Sequence, residues 1–314
     1  VSIMKSLITL LLVTVTAFAQ SPYTDFESSL VHPLVISPSG NRLFALNSSA
    51  GRLLVYDLGK PTQPQLISEI AVGLAPTSVA ALSDDEAWVV DALSDSLSVV
   101  RVSRGEVVAV IPTGDDPADI VFAGTPMRAF VTEAGEDRIS AFDVVTHALL
   151  ASVPVPMKEP RALAVDPARG RVWALSFRSG NRTTVIPSLL APPPPLPLDP
   201  NLPLAPQQAL IVSLNDPQWA MHPVNLPDID AIAFDATSFA PAALVQGIGT
   251  INFDLAVDPI TGGAVVVGFD SRNDEFYEPV VKARFIRNQI ALVHPTGLGV
   301  VPIDLDVPLA TTNL

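Results

Sequence analysis

The chain has 314 residues, a formal net charge of −14 and no cysteine. The excess of acidic groups repels phosphate backbones, so we expect no nucleic-acid partner. Without cysteine the chain cannot form disulfides, thiolate zinc sites, iron–sulfur clusters or a Cys-x-x-Cys-His haem attachment. No motif supports any cofactor, and a chain of this length can stabilise its fold by core packing alone.

The N-terminus predicts a secretory signal peptide over residues 1–19. Lys5 precedes an apolar run from Leu7 to Val15, and small residues end at Ala19. A membrane anchor is the alternative, but the run is short for the ~20 residues that a span requires. We therefore expect an exported protein, periplasmic or at the cell surface, with no transmembrane span in the mature chain. Residues 20–32 are predicted to form a lead-in strand.

A repeat dominates the next part of the sequence. Pro33, Pro76, Pro117 and Pro160 each open a similar segment and lie 43, 41 and 43 residues apart. This period is typical of four-stranded propeller blades. Residues 33–186 are therefore predicted to form propeller blades 1–4 of an all-β fold.

Each repeat contains three further strand patterns. The second strand has an aromatic residue at a constant place, namely Phe44, Trp88, Phe130 or Trp173. The third strand alternates apolar and polar residues, as a half-buried strand requires, and in the fourth repeat it is predicted at residues 182–186. The fourth strand is more exposed, and in the second and third repeats it ends in proline, at Pro112 and Pro154, which suits the edge of a sheet.

These patterns resemble the YVTN β-propeller repeat. Residues 44–47, 88–91, 130–133 and 173–176 stand where that family has its naming tetrapeptide, although none reproduces it letter for letter. The resemblance covers residues 33–186 well and a divergent stretch from 248 onward. It implies a propeller of the lactonase-like and quinoprotein-like superfamily, in which rings usually have six to eight blades.

The repeat breaks after residue 186. Residues 187–247 are predicted to be a proline-rich insertion, within which 208–214 could be the outer strand of blade 4. Its prolines favour extended polyproline II geometry, so it is either a stiff surface loop or a ligand for a proline-recognition module. Residues 248–314 resume the pattern as a divergent blade 5, with Asn252 in place of the opening proline. About five blades are thus visible, and we expect an incomplete ring in a truncated chain.

Charged residues near the blade openings predict a ligand-binding face. Loops entering the innermost strands of separate blades converge beside the central channel, where a pocket can form. The predicted set is His32, Asp116, Asp119, Glu159, Arg161 and Asp254. Its carboxylates could bind a cation through oxygen ligands, or they could form a solvated acidic funnel, so the identity of any metal stays open.

No catalytic motif is found. The sequence has neither a Gly-x-Ser-x-Gly elbow nor a His-Glu-x-x-His pair. The primary hypothesis is therefore an exported, non-catalytic propeller that presents a binding surface to a protein, a glycan or a cofactor-bearing partner. The alternatives suggested by the family are a metal-dependent lactonase-like hydrolase and a redox accessory that acts with a quinoprotein or a cytochrome.

Overall fold

The structure is a computed structural model that describes residues 30–60, 62–186, 199–201, 203, 211–213, 228–271 and 286–306. The predicted signal peptide, residues 20–29 of the lead-in segment and most of the proline-rich insertion lie outside this part of the chain. The described elements are 22 β-strands and four short 3-10 turns. None of these turns is long or apolar enough to be a candidate membrane span.

The first three blades are regular four-stranded antiparallel sheets whose strands follow chain order. Blade 1 contains β1 (Leu34–Ile36), β2 (Arg42–Asn47), β3 (Arg52–Asp57) and β4 (Gln65–Ala71). Blade 2 contains β5 (Pro76–Ala81), β6 (Glu86–Asp91), β7 (Ser96–Arg101) and β8 (Glu106–Pro112). Blade 3 contains β9 (Pro117–Ala123), β10 (Arg128–Glu133), β11 (Arg138–Asp143) and β12 (Leu149–Pro154).

Blade 4 corrects two predictions. It contains β13 (Lys158–Asp166), β14 (Arg171–Arg178), β17 (Ala231–Asp235) and β18 (Pro241–Val245). Residues 182–186 are not its third strand and 208–214 are not its outer strand, because β15 (Thr183–Val185) pairs instead with β16 (Ile211–Ser213). The third position goes to β17, where four consecutive apolar residues are buried against both neighbouring blades, whereas Val185 is exposed.

Blade 5 has the predicted strand order. It contains β19 (Ile251–Val257), β20 (Ala264–Ser271), β21 (Ile286–Val293) and β22 (Val300–Asp304). The fold is therefore a β-propeller of about five four-stranded blades, as predicted. That the chain is truncated stays a prediction.

Side chains that point alternately to the two faces of each sheet form four apolar clusters, one between each pair of successive blades. The aromatic residue of each second strand in blades 1–4 is fully buried in one of them, which confirms the importance of its constant place. None of the four clusters joins blade 5 to blade 1 within the described residues. Accordingly, Leu34 and Ile36 on blade 1 and Val301 on blade 5 are each more than half exposed.

One side of the propeller carries the residues of interest, and we call it the upper face. It holds the connections from second to third strands and the loops that enter the innermost strands, because alternate strand ends lie on the same side of an antiparallel sheet. The two long interruptions fall between β14 and β17 and between β20 and β21. Both segments therefore leave the propeller from its upper face.

Candidate functional site

The centre of the channel is built around one carboxylate, that of Asp119. This residue lies early in β9, the innermost strand of blade 3, and is fully buried. Its two oxygens accept hydrogen bonds from Ser78 Oγ of blade 2, from the Ile120 amide at 2.8 Å and from the Leu163 amide of blade 4 at 2.7 Å. The carboxylate thus ties three neighbouring blades together.

His32 supplies the fourth hydrogen bond to Asp119. Its Nδ1 lies 2.8 Å from Asp119 Oδ2, and its Nε2 lies 3.2 Å from Asp254 Oδ1 on blade 5. Both ring nitrogens face carboxylate oxygens, an arrangement that favours a doubly protonated ring, since only the imidazolium donates from both nitrogens. We call His32, Asp119 and Asp254 the channel cluster.

The protonation of His32 follows from its surroundings. Burial lowers the pKa of the ring, but the hydrogen bonds to Asp119 and Asp254 and the negative charges of these two residues outweigh burial and raise the pKa to about 10. His32 therefore carries a positive charge at neutral pH.

The segment that carries His32 crosses the channel. The Val31 amide donates to Thr77 O at 3.0 Å, and the Val79 amide donates to His32 O at 3.0 Å, so the segment lies along β5. Val31 also packs against the cluster between blades 4 and 5. Residues 30–32 are not part of a strand, so the predicted lead-in strand does not extend into them.

A second group, which we call the rim cluster, lies on the upper face and contains Asp116, Glu159, Arg161 and Arg178. Asp116 and Glu159 hold equivalent places before Pro117 and Pro160, at φ of 48° and 51°. Ala75 has φ of 49° at the same place in blade 2, so this left-handed conformation belongs to the repeat rather than to a particular site.

Ion pairs hold the rim cluster together. Arg161 Nη2 lies 3.8 Å from Asp116 Oδ2, and Arg178 Nη2 contacts Glu159 Oε1. Burial raises the pKa of Asp116, and the charges of Asp115, Glu159 and Asp95 raise it further, against the opposing charge of Arg161. Each rim carboxylate thus has a guanidinium beside it.

Thr132 connects the two clusters. Its hydroxyl donates to Arg161 O at 2.7 Å and accepts from the Asp119 amide at 3.0 Å. The sequence-based set omitted Thr132, Ser78 and Arg178. Ser78 had a signal, because it stands two residues after Pro76 just as Asp119 stands two residues after Pro117.

A row of aromatic rings extends the rim cluster towards blade 5. The Arg161 guanidinium lies 5.2 Å from the centre of the Phe177 ring. Phe177 contacts Phe253, and Phe253 contacts Phe269, with ring centres 6.2 and 5.7 Å apart. Phe253 is 51% exposed, so an apolar surface adjoins charged groups at the channel mouth.

The predicted carboxylates do not converge on one point. Asp119 and Asp254 face the His32 ring, whereas Asp116 and Glu159 face Arg161 and Arg178. Across the described ranges, no three His, Cys, Asp or Glu side chains are placed to hold a metal ion. What this arrangement provides is a cross-linked channel beneath a surface of mixed charge with one exposed aromatic ring.

Comparison with solved structures defines the class of protein. Hydrazine synthase from Kuenenia stuttgartiensis is similar to this chain with a TM-score of 0.66 and 18% identity, over 92% of this chain and 70% of that chain. A protein from Bacteroides uniformis, whose proposed identity is a 6-phosphogluconolactonase, is similar with a TM-score of 0.53 and 16% identity, over 88% and 71% of the two chains. A chain of the mitotic checkpoint complex matches with a TM-score of 0.57 and 8% identity, over 87% and 64%.

The first two structures are β-propellers, and the protein described here is a β-propeller protein. No family model matches its sequence. No curated protein matches it either.

Proposed function

We propose that this protein is an exported, non-catalytic propeller with YVTN-type blades, and that its upper face binds a protein or glycan partner. One observation carries the proposal: the carboxylates of the predicted ligand-binding face are already paired with cationic side chains of the same chain. A hydrolytic metal site needs carboxylates free to coordinate the ion and a base to activate water. In the channel cluster, His32 occupies the place such an ion would need.

The upper face has the features of a recognition surface. Phe253 offers exposed aromatic area, and Asp116 and Arg178 offer charged groups on the same face. Aromatic and arginine side chains contribute strongly to binding energy at interfaces. The two long interruptions leave from the same face, and such segments often carry binding function.

Export is part of the proposal and rests on the N-terminal sequence, which has the three regions of a signal peptide. Expression of the full chain in a bacterial host, followed by cell fractionation and mass analysis, tests it. We expect a periplasmic product that begins at Gln20. A cytoplasmic product with residues 1–19 intact would contradict export.

The enzymatic alternative has one observation in its favour, the likeness to the Bacteroides protein. The redox alternative has the likeness to hydrazine synthase. At these identities the likenesses concern the fold, since unrelated functions recur on one fold. The hydrolase alternative therefore enters as an outcome of the experiment.

The experiment combines binding and turnover on the purified mature chain. Immobilised protein is screened against a glycan array and against purified envelope proteins of the host, and lactone hydrolysis is followed with and without Ca²⁺. We expect a saturable partner whose affinity falls on Phe253→Ser, while Val145→Ser on the opposite face leaves it unchanged. Lactone turnover that depends on Ca²⁺ and is lost in Asp116→Ala would contradict the proposal and favour the hydrolase.

A further inference from the structure

A cleft of about 520 Å³ lies between blades 1 and 2, and Asp95, which lines it, adjoins Asp116 of the rim cluster. Its walls are the end of β4 with Val72 and Gly73, the start of β7, and strand β8. The volume falls within the range of sites that enclose small ligands.

The cleft exists because blade 2 presents small polar side chains towards blade 1. Ser96 and Ser98 lie on the β7 face that lines the cleft, opposite Pro112 and Val110 of β8. In blade 3 the residue equivalent to Ser98 is Ser140, whose hydroxyl bonds to Ser152 Oγ across the strands at 3.0 Å. Ser98 lacks such a cross-strand hydroxyl, because its neighbour on β8 is Val110.

The hydroxyl of Ser98 is oriented by a buried carboxylate. Ser98 Oγ donates to Asp91 Oδ2 at 2.6 Å, and Asp91 is fully buried behind it. The Gly73 amide also donates to Asp91, yet Asp91 Oδ1 has no hydrogen-bond partner in the described part of the chain. Because the Ser98 proton is committed to Asp91, the Ser98 oxygen presents lone pairs to the cleft and accepts from a donor.

The charged and apolar residues that line the cleft indicate which ligand groups would fit there. Asp95 also lines the cleft, and its Oδ1 accepts from the Asp116 amide at 3.2 Å. None of the described lining residues is Lys or Arg. The carboxylate of Asp95, which lines the cleft, and that of Asp91, which lies behind Ser98, therefore favour a positively charged ligand group in the cleft. The opposite side consists of aliphatic surface from Val107 and Val110, and Val110 is 65% exposed.

We propose that this cleft binds a small primary amine with a short aliphatic body. Its ammonium group donates to Ser98 Oγ and to the Asp95 carboxylate, and its hydrocarbon chain lies against Val107 and Val110. A ligand with a carboxylate in the place of the ammonium group would meet only acceptor oxygens and negative charge, so we expect it not to bind.

The test uses n-hexylamine, hexan-1-ol and hexanoate as probes and follows the β7 and β8 amide signals of the mature chain by NMR titration. We expect saturable shifts with n-hexylamine, an affinity about tenfold lower for hexan-1-ol because a charge-assisted bond is lost, and no binding of hexanoate. Equal affinity for the amine and the carboxylate, or no saturable shift with the amine, overturns the proposal.

Two pairs of variants locate the site. Ser98→Val removes the acceptor and should abolish amine binding, while Ser140→Val, at the equivalent place in blade 3, should leave it unchanged. If Ser98→Val does not fold, as judged by circular dichroism, the exposed pair decides: Val110→Gln should weaken binding, and Val108→Gln, outside the cleft on the same strand, should not. Unchanged affinity in Val110→Gln and in any folded Ser98→Val protein overturns the assignment to this cleft.

Discussion

The centre of the channel and its rim contain similar charged residues, yet the structure uses them differently. Asp119 is fully buried and accepts four hydrogen bonds, whereas the Asp116 side chain, three residues earlier in the chain, is 43% exposed beside one guanidinium. Breaking a buried ion pair costs far more free energy than breaking an exposed pair. We therefore expect the central charges to stabilise the fold and the rim charges to contribute little to its stability.

The largest effect is expected at Asp119. Asp119→Ala leaves the His32 ring without its closer partner and removes the acceptor of Ser78 Oγ and of the Leu163 amide. We expect a loss of about 3–5 kcal/mol in the free energy of unfolding, measured by urea denaturation. A loss below 1 kcal/mol would be typical of a solvated ion pair, and it would contradict the distinction between the channel cluster and the rim cluster.

His32 should make the stability of the fold depend on pH. Its pKa is raised from 6.5 to about 10 in the folded protein, so its contribution is fully present below pH 6.5 and is lost as the pH rises through 10. The free energy of unfolding, measured by urea denaturation at a series of pH values, should therefore fall between these limits. His32→Gln should flatten this part of the profile, and an unchanged profile in the variant would assign the pH dependence to other groups.

A smaller loss is expected at Thr132, the link between the two clusters. Thr132→Val keeps the shape of this buried side chain but leaves the Asp119 amide and the Arg161 carbonyl without their partner. Such a change costs about 1–3 kcal/mol, again measurable by urea denaturation. Thr146→Val, in an exposed turn of blade 3, serves as the control and should cost less.

The smallest effect on stability is expected at the rim. Glu159→Gln breaks the pair with Arg178, whose side chain is 62% exposed. The free energy of unfolding should change by about 0–1 kcal/mol, and raising the salt concentration should reduce the difference. A loss as large as that of Asp119→Ala would show that the rim is structural too.

The repeat period made most of the fold predictable, and blade 4 shows where such prediction fails. Residues 231–240 repeat the pattern of residues 139–148, including Asp235 in the place of Asp143. Each of these aspartates accepts two backbone amides and one hydroxyl in the following turn. The sequence therefore held the signal for β17, but the insertion moved it far from β14, and β15 took its expected place in the chain.

His147 and Phe239 hold equivalent positions in the turns after the third strands of blades 3 and 4, and their packing shows the same correspondence. They have φ of 61° and 60°, and their rings pack against Trp88 and Phe130, the second-strand aromatics of the preceding blades. Each of these blades is thus identified by the contact that the turn after its third strand makes with the preceding blade. The spacing of residues along the chain predicts that contact only where no segment is inserted into the blade.

The sequence placed the candidate residues along the chain but did not predict their contacts. His32 and Asp116 stand before blade-opening prolines, and the ligand-binding role inferred from that place stays a prediction. That His32 bonds to Asp119, 87 residues away, depends on the segment crossing the channel, which no local pattern encodes. The pairing of each carboxylate with a cation of the same chain likewise emerges only when five blades are assembled.

The protonation state of His32 tests the central claim most directly. Two-dimensional NMR that correlates the imidazole nitrogens with the ring protons, on uniformly ¹⁵N-labelled mature protein, reports whether both nitrogens carry protons. We expect a His32 ring that is doubly protonated at neutral pH, titrates near pH 10 and is unaffected by Ca²⁺. A His32 ring that titrates near its ordinary pKa of 6.5, or whose signals change when Ca²⁺ is added, would contradict the pairing of His32 with Asp119 and Asp254 in the channel.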